Sequence, residues 1–351
     1  MSLAILFLAA CGGGDEPGAA SSLTGADDAP AAGSPSDPAT PPMPVAAPPG
    51  ASPPGETAPD AGSPVAGPPD SGPPDAPPPT PTQCACASYT SPVPVGALPA
   101  TLPEISGLAA SRKNAGVLYA HNDSGDGAHI FALDHAGRLL GEIALGGATA
   151  RDYEDLAVGP CETGDCVFIA DVGNNSESRT DLALYAIDEP ALDGQPFATK
   201  TIAARRYPFS YPDGSWNCEA MLVHPKTGEI YIVTKSSVAD AGVYRYPGKP
   251  VRDKPVTLEK VGAVKGTKGA LVTGADISAC GDRVLIRTYG ALLEYAIAKG
   301  TNVAQALGVA PRTVPVAAEA QGEAVAFRAD ARGYFTASEG KGATLSLTGC
   351  R

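Results

Sequence analysis

The sequence predicts an all-β fold, a β-propeller of five blades with four antiparallel strands each. Three observations support this prediction. Short apolar runs are bounded by turn residues, long amphipathic helical patterns are absent, and five similar segments recur at separations of 48, 65, 56 and 48 residues. These separations fit propeller blades with variable loops, which take about 40 to 50 residues each.

The first element, residues 1–11, reads as an export leader. Its apolar run, Leu3 to Ala10, is too short to span a bilayer. The residues Leu8-Ala9-Ala10-Cys11 resemble the lipobox of bacterial lipoprotein signal peptides, which implies cleavage before Cys11 and lipidation of its sulfur. The alternative is an ordinary secretory signal with an incidental cysteine. Both interpretations predict a protein that leaves the cytoplasm for the cell envelope or the medium.

Residues 12–83 are rich in Pro, Ala, Gly, Ser and Asp and have almost no large apolar side chain. Such a segment cannot build a core, and its prolines favour extended conformations, so we expect a disordered tether. Ten acidic residues and no Lys or Arg precede Arg112, and the net charge of the whole chain is -13. This balance argues against nucleic-acid binding.

The cysteines of the predicted propeller, residues 84–351, indicate an oxidising compartment. Cys161 and Cys166 flank Glu-Thr-Gly-Asp and predict a disulfide across a hairpin turn. A metal site is the weaker alternative because a second ligand pair is missing. Seven cysteines remain when Cys11 is set aside, so at least one thiol stays unpaired within the chain.

Each repeat begins with a predicted innermost strand, followed by a turn, a second strand and a third strand that tends to carry an aromatic residue. The last repeat has only three strands, and the spare segment Tyr89 to Val95 can supply the fourth. Pairing of the two chain ends would close the ring and remove exposed edges. It also brings Cys350 near the start of the domain, so we expect a Cys350 disulfide with Cys84 or Cys86. The five innermost strands are Ile105–Ala109, Tyr153–Ala157, Cys218–Leu222, Gly274–Ser278 and Gly322–Ala326.

Several motifs resemble a group of secreted bacterial propellers in which D-W-E-D-[IL]-A precedes D-[IV]-G-D-N. The resemblance covers about residues 100–340 and extends more distantly to SdiA-regulated and phytase-like propellers. Two departures matter, since Tyr153 replaces Trp and Asn174 replaces an Asp of a candidate cation site. The resemblance implies the fold more than an activity. The matching segments are Glu104-Ile-Ser-Gly-Leu-Ala, His121-Asn-Asp-Ser-Gly, Asp152-Tyr-Glu-Asp-Leu-Ala and Asp171-Val-Gly-Asn-Asn.

The repeat places the starts of the innermost strands and the ends of the second strands at one face of the ring. We therefore expect a ligand site there, formed by Asp123, Glu154, Asp155, Asp171, Asn174, Asn175, Glu219, Lys235, Asp276, Arg287, Glu323 and Glu339. Asp126 falls on the same face.

So many carboxylates need compensation, because like charges raise one another's pKa. A hard cation such as Ca²⁺ supplies it with oxygen ligands, for which we expect Glu154, Asp171, Asn175 and Asp276. Two alternatives stay open. The acids pair with Lys235 and Arg287, or they accept hydrogen bonds from neighbouring blades as structural locks.

Three functions follow. The first is a lipid-anchored, monomeric binding module that takes a small anionic ligand or an envelope protein at the mouth. The second is a Ca²⁺-dependent hydrolase of the phytase or lactonase kind, with Glu219 or Glu323 as the catalytic base. The third is a structural envelope protein. The fold class alone does not choose among them or decide whether the protein is an enzyme.

Overall fold

A computed structural model describes residue 84 and residues 86–194 and 196–351 of the chain. The predicted leader with Cys11 and the tether 12–83 lie outside these described residues. Within them the chain forms 22 strands and one short helix, α1 (Val303–Leu307). None of the helices in the described part has the length and apolar character that a membrane span requires.

The strands form five sheets, which are the blades of a propeller. In chain order, β1 (Val93–Ala97) precedes blade 1, which contains β2 (Ile105–Ala110), β3 (Val117–Asn122), β4 (His129–Asp134) and β5 (Leu139–Gly146). Blade 2 contains β6 (Tyr153–Cys161), β7 (Gly164–Asp171), β8 (Ala183–Asp188) and, after β9 (Lys200–Ala203), β10 (Arg205–Ser210). This architecture confirms the predicted five-bladed propeller.

Blade 3 contains β11 (Cys218–Val223), β12 (Ile230–Thr234) and β13 (Gly242–Arg245), and after β14 (Val256–Thr257) its outer strand β15 (Glu259–Ala263). Blade 4 contains β16 (Val272–Ile277), β17 (Arg283–Thr288), β18 (Leu292–Ala296) and β19 (Arg312–Val314). Blade 5 contains β20 (Gly322–Phe327), β21 (Gly333–Ser338), β22 (Thr344–Gly349) and β1.

The ring closes as predicted, through pairing of the two chain ends. Strand β1 is antiparallel to β22, with Val93 opposite Leu347, and an isolated bridge joins Tyr89 to Cys350. The disulfide between Cys86 and Cys350 confirms the expected link. A second disulfide, which the sequence left open, joins Cys84 to Cys280.

A buried arginine also holds the N-terminal segment against blades 4 and 5. The guanidinium of Arg283 donates to the backbone oxygens of Cys84 and Ala331, each at 2.9 Å, and to the Tyr89 hydroxyl at 2.9 Å. The Tyr89 hydroxyl in turn donates to the Glu294 carboxylate. Because a buried charge is costly unless it is hydrogen-bonded, this network favours a single position for the closing strand.

Two blades carry a fifth strand that was not predicted. The segment β9, from the connection between β8 and β10, pairs in parallel with β5 of blade 1. The segment β14, from the connection between β13 and β15, pairs in parallel with β10 of blade 2. Each covers the outer edge of the preceding blade, where unpaired backbone groups would otherwise be exposed.

Apolar side chains pack between adjacent blades. In the cluster shared by blades 2 and 3, Phe168, Met221 and Ile232 are almost completely buried. Burial of one such side chain stabilises the fold by about 1.5 to 3 kcal/mol. The turns Lys226–Gly228 and Pro160–Asp165 meet beside this cluster, where a side chain on Gly228 would crowd the Pro160 oxygen at 3.1 Å.

The innermost strand of blade 4 differs from its sequence alignment. It begins at Val272, so the equivalent of Tyr153 or Gly322 is Val272 and not Gly274. The sequence alignment therefore placed Asp276 two positions too near the start of the strand. The Asp-Ile-Ser sequence of blade 4 is similar to the Asp-Leu-Ala of blade 2, but a β-bulge between Val272 and Gly274 fixes a different register.

Candidate functional site

The second residue of every innermost strand is a β-bulge. The pairing register shifts there in all five blades. A bulge sets two residues against one and re-aims a side chain. We call the end of the ring at which these strands begin the axial mouth. The five bulge residues are Ser106, Glu154, Glu219, Thr273 and Glu323, and all are buried.

The two bulge hydroxyls join neighbouring blades. Ser106 Oγ donates to the backbone oxygen of Glu154 at 2.6 Å, and Thr273 Oγ1 donates to that of Gly322 at 2.8 Å. Both hydroxyls are therefore used in the structure of the ring. The three carboxylates of the other bulges remain as the polar groups of the mouth.

Glu154 meets two further carboxylates at the axial mouth. Asp123 follows strand β3 directly, and Asp152 directly precedes β6. One oxygen from each of Asp123, Asp152 and Glu154 lies within 4.8 Å of the others. Gly173 leaves room for this group, because a Cβ there would lie 2.2 Å from Glu154 Oε1 and 2.3 Å from Asp152 Oδ2. Asp123, Asp152 and Glu154 form what we call the carboxylate triad.

Asp152 was missed as a site residue. In the sequence it is the first residue of the Asp-Tyr-Glu-Asp motif. Its position directly before the predicted innermost strand is the signal that could have identified it, since that position lies at the end of the sheet where the strands begin. Burial raises the pKa of Asp152 to about 6, and the nearby Asp123 charge adds to the increase.

Glu219 is paired with a cation. Lys235 Nζ lies 3.0 Å from Glu219 Oε1 and donates to the Tyr289 hydroxyl at 3.0 Å. Asn217 Nδ2 also donates to Glu219 Oε1, at 2.9 Å, and to Asn175 Oδ1 at 3.0 Å. Burial alone would lower the pKa of Lys235, but the Glu219 carboxylate outweighs it and the pKa rises. Lys235 therefore stays charged at the mouth.

Only one of the two carboxylate oxygens of Glu323 has a hydrogen-bond partner among the described residues. Gln321 Nε2 donates to Glu323 Oε1 at 3.3 Å and also to the Glu339 carboxylate. Glu323 Oε2 is buried and has no hydrogen-bond partner among the described residues. Burial raises the pKa of Glu323 to about 8, with a further contribution from the charge of Glu219.

The charges at the mouth act on one another. Burial raises the pKa of Glu154 well above its usual value, and the charges of Glu219, Asp123 and Asp152 raise it further. Burial also raises the pKa of Glu219, although Lys235 opposes this. Without a cation the mouth therefore retains protons that isolated carboxyl groups would lose, which is the electrostatic state that a bound cation relieves.

Side chains of the loop after β7 and of Asp171 at the end of β7 form hydrogen bonds and ion pairs next to the mouth. Arg179 Nη2 lies 2.8 Å from Asp171 Oδ1, which also accepts the Asp152 amide at 3.1 Å. Asn174 Oδ1 accepts the amides of Ser178 and Arg179, each at 2.9 Å. Asp171 and Asn174 thus stabilise the loop through these contacts, and Arg179 forms an ion pair with Asp171.

Asp155 and Asp276 lie further along their strands and connect blades. Asp155 Oδ2 accepts the amides of Met221 at 2.8 Å and Ala275 at 3.3 Å, so it joins blades 2, 3 and 4. Asp276 Oδ2 accepts the Phe327 amide of blade 5 at 2.7 Å. Burial raises the pKa of Asp155 well above its usual value and that of Asp276 to about 7. These contacts match the structural alternative considered from the sequence.

Arg287 also takes a structural position. Its side chain is 1 % exposed, and its Nη2 lies 2.7 Å from Glu319 Oε2. The guanidinium occupies the space that a side chain on Gly322 would need, since a Cβ there would lie 1.5 Å from Nη2. Arg287 is thus paired with Glu319, and the charge of Glu323 also acts on its pKa.

Most of the expected metal ligands do not lie together in the structure. Of Glu154, Asp171, Asn175 and Asp276, only Glu154 belongs to the carboxylate triad; Asp171 and Asp276 have the partners described above. Carboxylate oxygens are the ligands that hard cations such as Ca²⁺ prefer. A second cluster of potential ligands, Cys161, Cys166 and Asp188, contains a disulfide and not thiolates. The triad is thus the better cation site among the described residues.

No family model matches the sequence, and no curated protein matches it. Solved structures with a similar fold include a gluconolactonase from Xanthomonas campestris, at 10% identity and a TM-score of 0.42, covering 77% of this chain and 92% of that chain. A glucose dehydrogenase matches at 12% identity and a TM-score of 0.41, covering 75% of this chain and 100% of that chain. The WD40 repeats of RRP9 match at 11% identity and a TM-score of 0.34, covering 70% of this chain and 67% of that chain. At these values the similarities carry no argument about activity or ligand.

Proposed function

We propose that this protein is an exported, lipid-anchored β-propeller whose axial mouth binds Ca²⁺ and, through the metal and Lys235, a small anionic ligand. The observation that carries this proposal is the convergence of Asp123, Asp152 and Glu154 within 4.8 Å. The tether 12–83 and the lipid on Cys11 would hold the domain at the envelope surface, where the ligand or an envelope protein reaches the mouth.

Internal pairing does not neutralise the carboxylate triad. Lys235 pairs with Glu219, and Arg179 pairs with Asp171 and Asp181. Both cations are thereby paired with other carboxylates, although the charge of Arg179 also acts to lower the pKa of Asp152. A divalent cation supplies the missing charge and accepts the carboxylate oxygens, while water and ligand oxygens complete the six to eight positions that Ca²⁺ takes.

The buried oxygen of Glu323 is a second, independent indication of a ligand. A buried acceptor without a partner costs about 1 to 3 kcal/mol, so such groups usually have a role. A ligand hydroxyl would satisfy it, by donating to the carboxylate or by accepting from the carboxyl group when Glu323 is protonated. Lys235 and Tyr289 lie beside Glu219 at the same mouth and supply a positive charge and an aromatic face.

Titration calorimetry of the full chain with Ca²⁺ tests this function. We expect a single binding event that is lost in an Asp123→Asn, Glu154→Gln double variant and kept in Glu162→Gln, which alters an exposed acid of a distant turn. With Ca²⁺ present, a panel of phosphomonoesters and lactones then tests for the ligand. Lys235→Met should weaken binding of the anionic members at least tenfold and leave Ca²⁺ binding intact. Unchanged anion binding in that variant would contradict the role of Lys235.

A second candidate function, a Ca²⁺-dependent hydrolase, is favoured by Glu323. A carboxyl with a pKa of about 8 beside a carboxylate and a lysine can donate or accept a proton near neutral pH. In this case Glu219 would activate water and the metal would polarise the ester or phosphoryl oxygen. Turnover of a panel member that is lost in Glu323→Gln, with Ca²⁺ binding retained, would establish catalysis. Binding without turnover would leave the binding module.

A further inference from the structure

A cavity lies at the opposite end of the blades from the axial mouth, where the hairpin of blade 2 meets blade 3. Its volume is about 230 Å³. The aromatic side chains of Phe168 and Tyr207 are buried beneath it. The remaining lining residues are Pro160, Cys161, Glu162, Lys226, Thr227, Gly228, Lys249 and Pro250. The cavity thus combines an apolar base with charged groups at its rim.

The rim favours an anion. Lys226 and Lys249 contribute two ammonium groups and Glu162 contributes one carboxylate, so the lining charge is positive. This contrasts with the strongly acidic chain as a whole. A small molecule with carboxylate groups and a short apolar part therefore fits this cavity better than a cation does.

The disulfide beside the cavity is asymmetric. Cys161 is partly exposed and lines the cavity, whereas Cys166 is completely buried. Arg205 Nη2 donates to Cys166 Sγ at 2.8 Å, and Arg205 Nε donates to the Tyr207 hydroxyl at 3.1 Å. The same Nη2 contacts Asp188 Oδ1 at 2.7 Å, which holds the guanidinium in place. Cys161 is thus the more exposed half of the disulfide. Cys166 Sγ has the Arg205 guanidinium beside it, and the Asp188 carboxylate that pairs with this guanidinium lies 3.6 Å from the same sulfur.

We propose that the Cys161–Cys166 disulfide is a site of thiol exchange with small thiols that carry carboxylate groups. The thiolate of the incoming molecule attacks Cys161 Sγ and forms a new disulfide with it. The Cys161–Cys166 bond breaks, and its electron pair leaves on Cys166 as a thiolate, which Arg205 stabilises. A second thiolate then attacks the sulfur of the bound molecule, releasing a small disulfide and the Cys161 thiolate. Two small thiols are oxidised and one protein disulfide is reduced.

The direction of attack follows from the physical chemistry of exchange. A disulfide sulfur is attacked where it is accessible, and the better leaving group is the thiolate that a neighbouring cation stabilises. Lys226 and Lys249 would hold the carboxylates of the attacking molecule near Cys161. The site needs neither the axial mouth nor a metal, so it is independent of the function proposed above.

Opening this disulfide leaves the rest of the fold connected. Cys161 and Cys166 are only 5 residues apart, whereas Cys84–Cys280 and Cys86–Cys350 span 196 and 264 residues. A short closed loop restricts the unfolded chain least, so its reduction costs the least stability. The hairpin also remains paired through the backbone of β6 and β7. Exchange at this site is therefore a local modification.

The proposal is tested by treating the full chain with glutathione, which carries two carboxylates, and separately with cysteamine, which carries an amine. Acid-quenched peptide mapping measures the rate at which each cysteine forms a mixed disulfide. We expect the glutathione adduct on Cys161 first, and a rate ratio of glutathione to cysteamine that falls at least fivefold in a Lys226→Gln, Lys249→Gln double variant. Arg205→Gln should slow both thiols about tenfold, while Arg138→Gln, an exposed arginine in blade 1, should have no effect.

Three outcomes would overturn the proposal. They are a first adduct on Cys166, Cys86 or Cys350, a rate ratio that is unchanged by removal of the two lysines, and an unchanged rate in Arg205→Gln. The comparison of the two thiols on the unaltered chain does not depend on how well any variant folds. The position of the first adduct on the unaltered chain likewise needs no variant, and if Arg205→Gln is unstable, Arg205→Lys tests the side chain in a milder form.

Discussion

Glu154 and Asp155 are neighbours in the chain, yet their carboxylates contact different parts of the propeller. The bulge in β6 sends Glu154 to the carboxylate triad with Asp123 and Asp152, while Asp155 accepts backbone amides from the next two blades. Glu154 belongs to the proposed cation site, and Asp155 connects three blades. If the proposed site binds a cation, this dipeptide contributes one residue to binding and one to ring stability.

Removal of the Asp155 carboxyl should destabilise the ring. Asp155→Ala leaves the buried amides of Met221 and Ala275 without their acceptor, and we expect the free energy of unfolding to fall by about 2 to 4 kcal/mol. Asp155→Asn keeps one acceptor oxygen and should cost less. Urea unfolding measures both values, with Asp193→Ala in an exposed loop as the control. A loss in Asp155→Ala no larger than in the control would contradict the blade-connecting role.

Gly173 should be required for the cation site. Its Cβ would enter the space of Glu154 and Asp152, so Gly173→Ala should weaken Ca²⁺ binding at least tenfold while every carboxylate remains in the chain. Gly290→Ala is the matched control, since a Cβ there meets nothing within 4 Å. Calorimetry on both variants measures the difference. Equal affinities would show that the triad does not bind the ion in this geometry.

The stability of the metal-free protein should fall as the pH rises. The Glu323 carboxyl has a pKa of 4.5 when unperturbed and about 8 in the folded chain, so the folded state keeps its proton across that interval. Its contribution is complete below the unfolded pKa and is lost as the pH rises through the folded one. Between about pH 5 and about pH 8 we expect a loss of about 2 kcal/mol or more.

Thermal melts across this pH range, in the presence of a chelator, measure the effect. Asp152 and Asp276 also have raised pKa values and add to the slope in the same direction. Glu323→Gln, a neutral isostere, should flatten the profile, whereas Glu162→Gln should leave it unchanged. Stability that rises over this range in the unaltered protein would refute the assignment of these pKa shifts.

The terminal disulfide should contribute more stability than the hairpin disulfide. Cys86→Ser with Cys350→Ser releases a span of 264 residues, and we expect a loss of about 3 kcal/mol or more because the unfolded chain gains freedom. Cys161→Ser with Cys166→Ser releases a span of 5 residues and should cost about 2 kcal/mol or less. Denaturant unfolding of the two double variants compares them directly, and the reverse order would contradict the closure described above.

The repeat spacing was sufficient to predict five blades and the closure by an N-terminal strand. The cysteine spacing predicted the Cys161–Cys166 disulfide, and the closure predicted a disulfide of Cys350 with Cys84 or Cys86, of which the structure shows Cys86. These features follow from strand periodicity and from the need to pair the last blade, which are properties of the sequence. The Cys84–Cys280 link was not predictable, because it depends on how closely the N-terminal segment approaches blade 4. The same is true of β9 and β14, which belong to loops of one blade but pair with another.

The candidate site was predicted less completely, for a physical reason. Alternation along a strand predicts which side chains share a face, but a bulge shifts that alternation by one residue and leaves no clear mark in the sequence. Asp276 was therefore expected at the mouth but connects blades, and Asp152 was overlooked. The pairing of Arg287 with Glu319, in space that Gly322 leaves open, was not predicted. Contacts of this kind depend on the packing of two blades.

Calcium binding by the carboxylate triad is the central claim, and calorimetric titration of the full chain after treatment with a chelator tests it most directly. The structure predicts one Ca²⁺ per chain, an affinity that rises with pH as the carboxyl groups lose their protons, and loss of binding in the Asp123→Asn, Glu154→Gln double variant. Absence of any binding heat at millimolar Ca²⁺, or unchanged binding in the double variant, would contradict the claim.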